Sequence, residues 1–530
     1  MDATPPPDDP PLPPDVPTLQ GRVRDLTARN RVLDARVAEL EATVAVLQAK
    51  LDALLKHRFG RRSERRTPTP RPPGTPPRRH EHGRSPLPAH LERRDVVHDL
   101  PAADRPCPHC GTTRPCIGEQ VTEQLDLDPA RFFVRRTVKR TYACRACDPA
   151  AVPADDRITT AGPPQVGPIP KGLCGPGLLA HTVAAKFADH TPIHRLAGPL
   201  ARSGVTVARS TLTDWLGGAA DLLTPLCQLM HRRLLLARVI HADDTPVKLR
   251  VPGATKTKAS HLWVAIGDAD SPYVLFDFTA DHTAAGPTAF FAGFTGHLQA
   301  DALAQYETLF GVGKATHVCC LAHARRKFVA AADGGDARAN TAIELFGRLY
   351  AVERTLPPLL PPSDAPAERN ARAARERERK RLRQRDADPI LAELKDWLDR
   401  IKPAALPKSA LGTAVGYARN NWAALTRYRD EGYLAIDNNL AERTLRAVAL
   451  GRNNWGVLGS ESGGRTAATL YSVVGTCKHL GIDPFAYLTD TLPGLFAMGD
   501  TPTVEQLLDW LPDRWLLRTR ANTSRPASAA

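Results

Sequence analysis

The stretch Val239-Ile-His-Ala-Asp243-Asp244-Thr245 decides the fold. Two acids interrupt an apolar, β-branched run that reads as a strand. An ionised carboxylate inside such a strand is costly unless it is paired or bound to metal. Successive strand side chains point to opposite faces, so at most one of Asp243 and Asp244 faces a given site. Working outward, the strand covers residues 239–248. Two further strand-like runs follow at 261–267 and 273–279, each short and bounded by turn residues. A helical stretch at 283–293 precedes a fourth strand at 297–301, which ends in Asp301. A helix at 302–310 then leads to a fifth strand at 316–321.

Three antiparallel strands followed by alternating helix and strand is the order of a ribonuclease-H-like core. On pattern alone that is one candidate among several α/β or α+β architectures. In that order the fourth strand lies beside the first, which brings Asp301 near Asp243. The plainer role for Asp301 is to cap the helix that begins at Ala302. A third acid comes from Ile436-Asp-Asn-Asn-Leu-Ala-Glu442-Arg443-Thr-Leu-Arg446. Asp437 or Asn438 can cap a helix there, which places Glu442 in its early turns. A surface ion pair of Glu442 with Arg446, four residues on, is the simpler reading from spacing.

Upstream stand Cys107-Pro-His-Cys110 and Cys144-Arg-Ala-Cys147. Two such knuckles supply four thiolates for a tetrahedral zinc with no open position, which is a structural site. The residues between them read as a hairpin. Phe132, Val134, Val138 and Tyr142 share one face, and Arg131, Arg135 and Lys139 are among the exposed positions. His109 and Cys116 are rival ligands. Residues 172–236 read as helical. Within them, 193–201 and 209–216 flank a glycine-containing turn, a possible helix-turn-helix carrying Arg209, Ser210, Thr211 and Thr213.

At the N-terminal end Leu19, Leu26, Leu33, Leu40, Leu47 and Leu54 recur every seven residues. Val23, Asn30, Val37, Val44 and Leu51 follow each of the first five after four residues. That is the pattern of a parallel two-stranded coiled coil, so a homodimer or higher oligomer is expected. The chain of 530 residues carries 71 Lys+Arg against 57 Asp+Glu, and the excess has addresses. Residues 56–94 hold twelve basic and three acidic side chains, and residues 369–385 hold nine and two. The first reads as a basic linker that can neutralise phosphates or serve as a soluble tether, and the second as a basic helix lying on DNA or simply solvated. A pI near 9.5 fits an acidic polymer as partner, nucleic acid ahead of membrane. Prolines cluster at 5–17, 68–88 and 357–366 as extended linkers. A hydrophobic fraction of 42% excludes a wholly disordered chain. No apolar run is long enough to span a membrane, and Met1-Asp2 followed by prolines is no signal peptide. Ten cysteines are too few for a disulfide scaffold, so a reducing, cytoplasmic setting is expected.

The chain resembles the large transposase of the insertion sequence 66 family, a DDE transposase. The resemblance rests on Phe59-Gly-Arg-Arg-Ser-Glu64, the two knuckles, Glu123-Gln-Leu-Asp126 and His241-Ala-Asp243. It also rests on Ala322-His-Ala-Arg-Arg-Lys-Phe328, Asp437-Asn-Asn-Leu-Ala-Glu442-Arg443 and Gly481-Ile-Asp-Pro484. It implies a ribonuclease-H-like α/β catalytic core with a helical insertion before the glutamate, and Asp243, Asp301 and Glu442 as the catalytic triad. Three carboxylates can hold two magnesium ions, or manganese, about 3.5–4 Å apart for in-line phosphoryl displacement. The chain departs from the family pattern at Asp244, where Glu is usual, and at Ala302-Leu303, where Gly-Tyr is usual.

The expected organisation is a multidomain α+β chain. A Pro-rich tail (1–17) precedes a leucine-zipper coiled coil (18–58), a basic Pro-rich linker (59–98) and a zinc-ribbon-like domain (99–152). A helical segment (172–236) leads to the catalytic core (237–480, insertion about 335–432), a C-terminal helical segment (481–518) and a tail (519–530). Arg325, Arg326, Lys327, Arg443, Arg446 and Arg452 are the expected phosphate contacts, which position DNA without reading its sequence. The expected partners are double-stranded DNA, at the element's terminal inverted repeats and at the target, and accessory proteins of the same element. The expected setting is the nucleoid of a bacterial cytoplasm. A catalytically silent relative that represses transposition by occupying the ends would share every module except a working triad.

Overall fold

The computed structural model describes residues 87–523, apart from 90, 129–130, 149, 163–166 and 170–171, together with most of 21–37. The chain divides into two units, residues 1–84 and 85–530. In the first, the described residues are helical, and Val23, Leu26, Leu33 and Val37 are all more than half exposed. The other zipper leucines and the linker at 56–84 lie outside the described residues.

The second unit begins with a sheet of β1 (Arg93–His98), β2 (Cys116–Asp128), β3 (Arg131–Ala143) and β4 (Ile158–Thr160). Its central strand is β3, parallel to β1 and antiparallel to β2 and β4. The sheet therefore begins inside the segment assigned to the linker, because the β-branched pair Val96-Val97 pairs with Thr137 and Val138. Lys139 is a second correction: it is buried, not exposed. A strand flanked on both sides and covered on both faces buries consecutive residues, as Phe133 with Val134 and Thr137 with Val138 also show. At its far end this hairpin docks through Asp126. The Asp126 carboxylate accepts from Leu178 N at 3.0 Å in the first turn of α1 (Pro176–Phe187), and Arg135 pairs with it at 3.0 Å. An anion there complements the helix dipole. Only glycine fits at 175, since a Cβ would stand 2.6 Å from that carboxylate.

Helices α2 (Ile193–Arg202) and α3 (Arg209–Leu234) follow. The second is a core helix of 26 residues that buries Leu212, Trp215, Leu216, Ala219, Leu223, Leu226 and Met230. Arg209, Ser210 and Thr213 remain exposed at its start.

The central sheet comprises β5 (Val239–Leu249), β6 (Lys258–Ile266), β7 (Val274–Thr279), β8 (His297–Ala300) and β9 (Thr316–Cys319), with α4 (Ala285–Phe290) between β7 and β8. Its order is β7-β6-β5-β8-β9; β5, β6 and β7 are antiparallel, and β8 and β9 run parallel to β5. The helix expected at 302–310 is instead a 3-10 segment, Ala304–Leu309. Asp301 closes a local turn, accepting from Leu303 N at 3.2 Å, and caps no α-helix.

After β9 come α5 (Leu321–Asp333) and an inserted bundle of α6 (Ala339–Thr355), α7 (Pro366–Asp386), α8 (Asp388–Ile401) and α9 (Ala410–Asn420). The bundle has its own core, with Leu345, Phe346, Leu349, Leu391, Leu394 and Leu411, that is continuous with Phe328 of α5 and Val318 of β9. The basic α7 is a structural strut as well as a charged surface. Arg383 is wholly buried; it donates to Glu353 through Nε (2.7 Å) and Nη2 (2.8 Å), and to the carbonyls of Tyr428, Glu431 and Leu434. All five of its N–H groups are thereby satisfied. Arg372 and Arg379 also bond inward, to Asp270 and to the carbonyls of Gly432 and Pro357.

The chain returns to the central sheet through α10 (Asn439–Trp455), α11 (Glu461–Leu480) and α12 (Pro484–Ala497). Helix α11 covers the outer strand. Ser472 Oγ accepts from Phe276 N, and Thr476 Oγ1 accepts from Val274 N and donates to Val274 O. Backbone groups that a bare sheet edge would expose are thus satisfied by side chains. No helix among the described residues is long and apolar enough to cross a membrane.

Candidate functional site

Asp243 lies on β5, and Asp301 directly follows β8. The parallel register His241↔Gln299 carries both acids two residues further, onto adjacent strands and the same face. Helix α10 packs against that face with Glu442 in its first turn. The delivery of Glu442 is specified by the four residues before α10. Gln299 Nε2 donates to Ala435 O (2.6 Å) and Asp437 O (3.0 Å), and Leu321 N donates to Ile436 O. Asn438, wholly buried, donates through Nδ2 to Ala242 O at 2.7 Å and receives His241 Nδ1–H at Oδ1, 3.1 Å away. With Nδ2 committed as donor, Oδ1 must accept, so His241 carries its proton on Nδ1. Burial also depresses the His241 pKa, which keeps it neutral.

The acids oppose one another electrostatically. Burial raises the pKa of Asp243 to about 7; the Asp244 amide works against that, and Asp301, Asp244 and Glu442 add to it. Burial likewise raises Asp301, partly offset by His323. The Tyr306 hydroxyl is buried and makes no hydrogen bond; burial, with Asp244, Asp243 and Asp301, holds it protonated. Glu442 is a quarter exposed, and its oxygens meet Arg326 Nη2 at 3.0 and 3.1 Å and His323 Nε2 at 3.6 Å. Grouped, partly buried carboxylates of this kind are suited to a hard cation with oxygen ligands.

The six expected phosphate contacts divide. Arg325, Arg443 and Arg446 are exposed. Arg326 holds Glu442, and Lys327 lies over the Tyr417 ring at 4.7 Å. Arg452 faces inward, donating to Thr245 Oγ1 and Pro246 O. Glu442 pairs with Arg326 across space, and no contact with Arg446 accompanies the four-residue spacing among the described ion pairs. Sequence reasoning passed over His323, read Asn438 only as a possible helix cap, and passed over Tyr306. The first two lie inside motifs it had singled out, so a polar residue beside a suspected acid was the available signal.

The four knuckle cysteines converge. Sulfur separations are 3.3 Å (Cys107–Cys147) and 3.6 Å (Cys110–Cys144, Cys144–Cys147, Cys110–Cys147). Zinc–sulfur bonds of about 2.3 Å give tetrahedral edges of about 3.8 Å, so the set fits one zinc. Amide donors lower the Cys107 pKa and Thr112 lowers Cys110 to about 6, while sharing with Cys107 raises Cys147. Four thiols this close need a cation to ionise together. Both rivals stand apart: His109 faces Asp156, and Cys116 bonds Gly118 O.

Two family models match. "Transposase IS66 family" covers residues 171–466, and "zinc-finger binding domain of transposase IS66" covers 104–148. The second match and the four-cysteine cluster together support a structural zinc. Among curated relatives, the uncharacterized protein y4jD of Sinorhizobium fredii is 32% identical over 444 residues, 81% of either chain. The uncharacterized protein y4hP of the same organism is 30% identical over 457 residues, 82% of this chain and 77% of its own.

Proposed function

The chain belongs to the IS66 transposase family, and on that premise we propose that it binds the ends of its insertion element and performs metal-dependent strand cleavage and strand transfer. The observation that carries this reading is the convergence of Asp243, Asp301 and Glu442 on one face of the central sheet, across nearly two hundred residues. The strand order β7-β6-β5-β8-β9, with the first three antiparallel and the last two parallel, supports a ribonuclease-H-like core. A helical insertion then separates the last strand from the helix bearing Glu442.

Asp243, Asp301 and Glu442 would hold magnesium or manganese. When bound, the ions supply activation of the attacking oxygen and charge relief at the leaving oxygen. Every other contribution comes from the chain. Partial burial desolvates Asp243 and Asp301, and repulsion among the acids favours any cation that relieves it. Arg326 is more than half exposed, so it can leave Glu442 and take a phosphate oxygen. Arg325, Arg443 and Arg446 are exposed, and with Lys327 they would position the backbone of double-stranded DNA. Arg452 acts from behind, holding β5 to α10.

Pairing of two chains through the heptads at 18–58 completes the reading. Its support is the leucine spacing, with exposed Val23, Leu26, Leu33 and Val37 on the single chain. Two linked DNA-binding units would hold two element ends together.

The test is a joining assay with labelled terminal DNA, an unlabelled target and magnesium or manganese. Label appearing covalently in the target supports transfer. Release of a cut end that never enters the target reduces the activity to that of a nuclease, and binding with no cutting rejects the enzyme altogether.

A further inference from the structure

Helices α2 and α3 meet at a fixed corner. Residues 203–208 link them, with Gly204 turning at φ +82°. Leu200 of α2, Val205 of the turn, and Leu212 and Trp215 of α3 are all buried in the main core. Just before α2, His190 O accepts from Asn454 Nδ2 at 2.9 Å, and Thr213 lines one cavity with Trp455. The corner is therefore fastened to the C-terminal end of α10.

The outer side of this corner is basic. From 190 to 213 the chain carries Arg195, Arg202, Arg209 and two histidines, and no carboxylate. Arg195 and Arg202 stand seven residues apart, on one exposed stripe of α2. Arg209 and Ser210 open α3 and are exposed, while Leu212, Trp215 and Leu216 turn the next residues inward. Among the described residues none of the three arginines makes an ion pair or a side-chain hydrogen bond. Arg135, Arg372 and Arg383, by contrast, each hold a carboxylate. The first acid beyond, Asp214, lines the cavity shared with Trp455.

We infer that this corner recognises the element's terminal DNA, with Arg195 and Arg202 on phosphates and Arg209 with Ser210 on base edges.

The inference rests on the reading that the chain binds its element's ends. A fixed helix that presents only its first turn suits entry into the major groove, where an arginine fork can pair with guanine. Unpaired arginines on the preceding helix suit the flanking backbone, since phosphate contacts set register. Helix α10 adds a distance. Glu442 lies in its first turn and Trp455 at its end, about 20 Å apart at about 1.5 Å per residue. Duplex DNA advances about 3.4 Å per base pair, so a duplex laid along α10 meets the corner about six base pairs from the three acids.

The test measures binding of the full chain to terminal-repeat duplex and to an unrelated duplex of equal length, without magnesium or manganese. Arg209→Lys keeps the charge and loses the planar fork. Its affinity for the unrelated duplex should stay within about twofold, while its preference for the repeat falls about tenfold. A repeat altered about six base pairs from the cut end should bind wild type about tenfold less, and Arg209→Lys no less than the unaltered repeat. Arg195→Ala with Arg202→Ala should weaken both duplexes alike, by about tenfold. Arg209→Lys that keeps the full preference, or losses from protein and DNA changes that simply add, would overturn the corner as the reader while end binding stands. Unchanged binding by Arg195→Ala with Arg202→Ala would overturn it as a DNA surface. Wild type with no preference for the repeat would overturn the end-binding reading, and this one with it.

Discussion

Asn438 donates its side-chain amide to the backbone oxygen of Ala242, 2.7 Å away across 196 residues of chain. This bond, with the one from His241, ties the start of α10 to the strand that carries Asp243. It sets where Glu442 stands.

Replacing Asn438 by Ala leaves Ala242 O and His241 Nδ1 buried without partners. The expected loss is about 1–3 kcal/mol of stability, read by denaturant unfolding. DNA cutting should fall by about a hundredfold as Glu442 loses its position, while binding to the ends is kept. Stability falling with cutting unchanged would make Asn438 a structural residue only.

Arg383 is a second anchor on the same route. It grips the carbonyls of Tyr428, Glu431 and Leu434, just before the segment that reaches Asn438. Arg383→Met leaves the Glu353 carboxylate only its longer contact with Arg379, at 3.8 Å, and removes the donor from three carbonyls, so a loss of about 3–5 kcal/mol is expected. Limited proteolysis should then cut first within 428–434.

The pKa of Asp243 carries a pH signature. A carboxylate raised from 3.8 to about 7 by burial holds in the folded chain a proton that the unfolded chain releases. The folded state of metal-free protein is therefore favoured below about pH 4 by this group, and that advantage is lost as pH rises toward 7. Manganese should restore stability more at pH 8 than at pH 5.5, as read from thermal unfolding. Asp243→Asn should remove that difference.

Oligomeric state tests the N-terminal heptads. If the heptads pair two chains as proposed, wild type is a dimer in light scattering, and Leu26→Lys with Leu33→Lys, which places charges in the seam, is a monomer. Equal masses for the two proteins would contradict pairing through the heptads.

Much of the half that carries the central sheet was legible because burial leaves a periodic trace. The β5 run, the knuckle spacing and the return of an acid in 436–446 are local patterns. What escaped was set by partners far along the chain. Lys139 and Arg383 read as exposed because their residue types are usually solvated; a strand covered on both faces buries one, and Glu353 with three carbonyls satisfies the other. The contacts of Asp244 with His261 and His282 were invisible for the same reason, since those histidines come from the neighbouring strand β6 and the turn after β7. Asp301 shows the limit from the other side. Its place beside Asp243 followed from strand order, but its hydrogen bond to Leu303 N replaced the expected helix cap.

The most direct measurement is cutting of labelled terminal DNA by wild type and by Asp301→Asn, with binding followed on the same DNA. The account predicts cleavage by wild type in magnesium or manganese, and none by Asp301→Asn at nearly unchanged affinity. Wild type that binds but never cuts, or an Asp301→Asn protein that cuts like wild type, would contradict it.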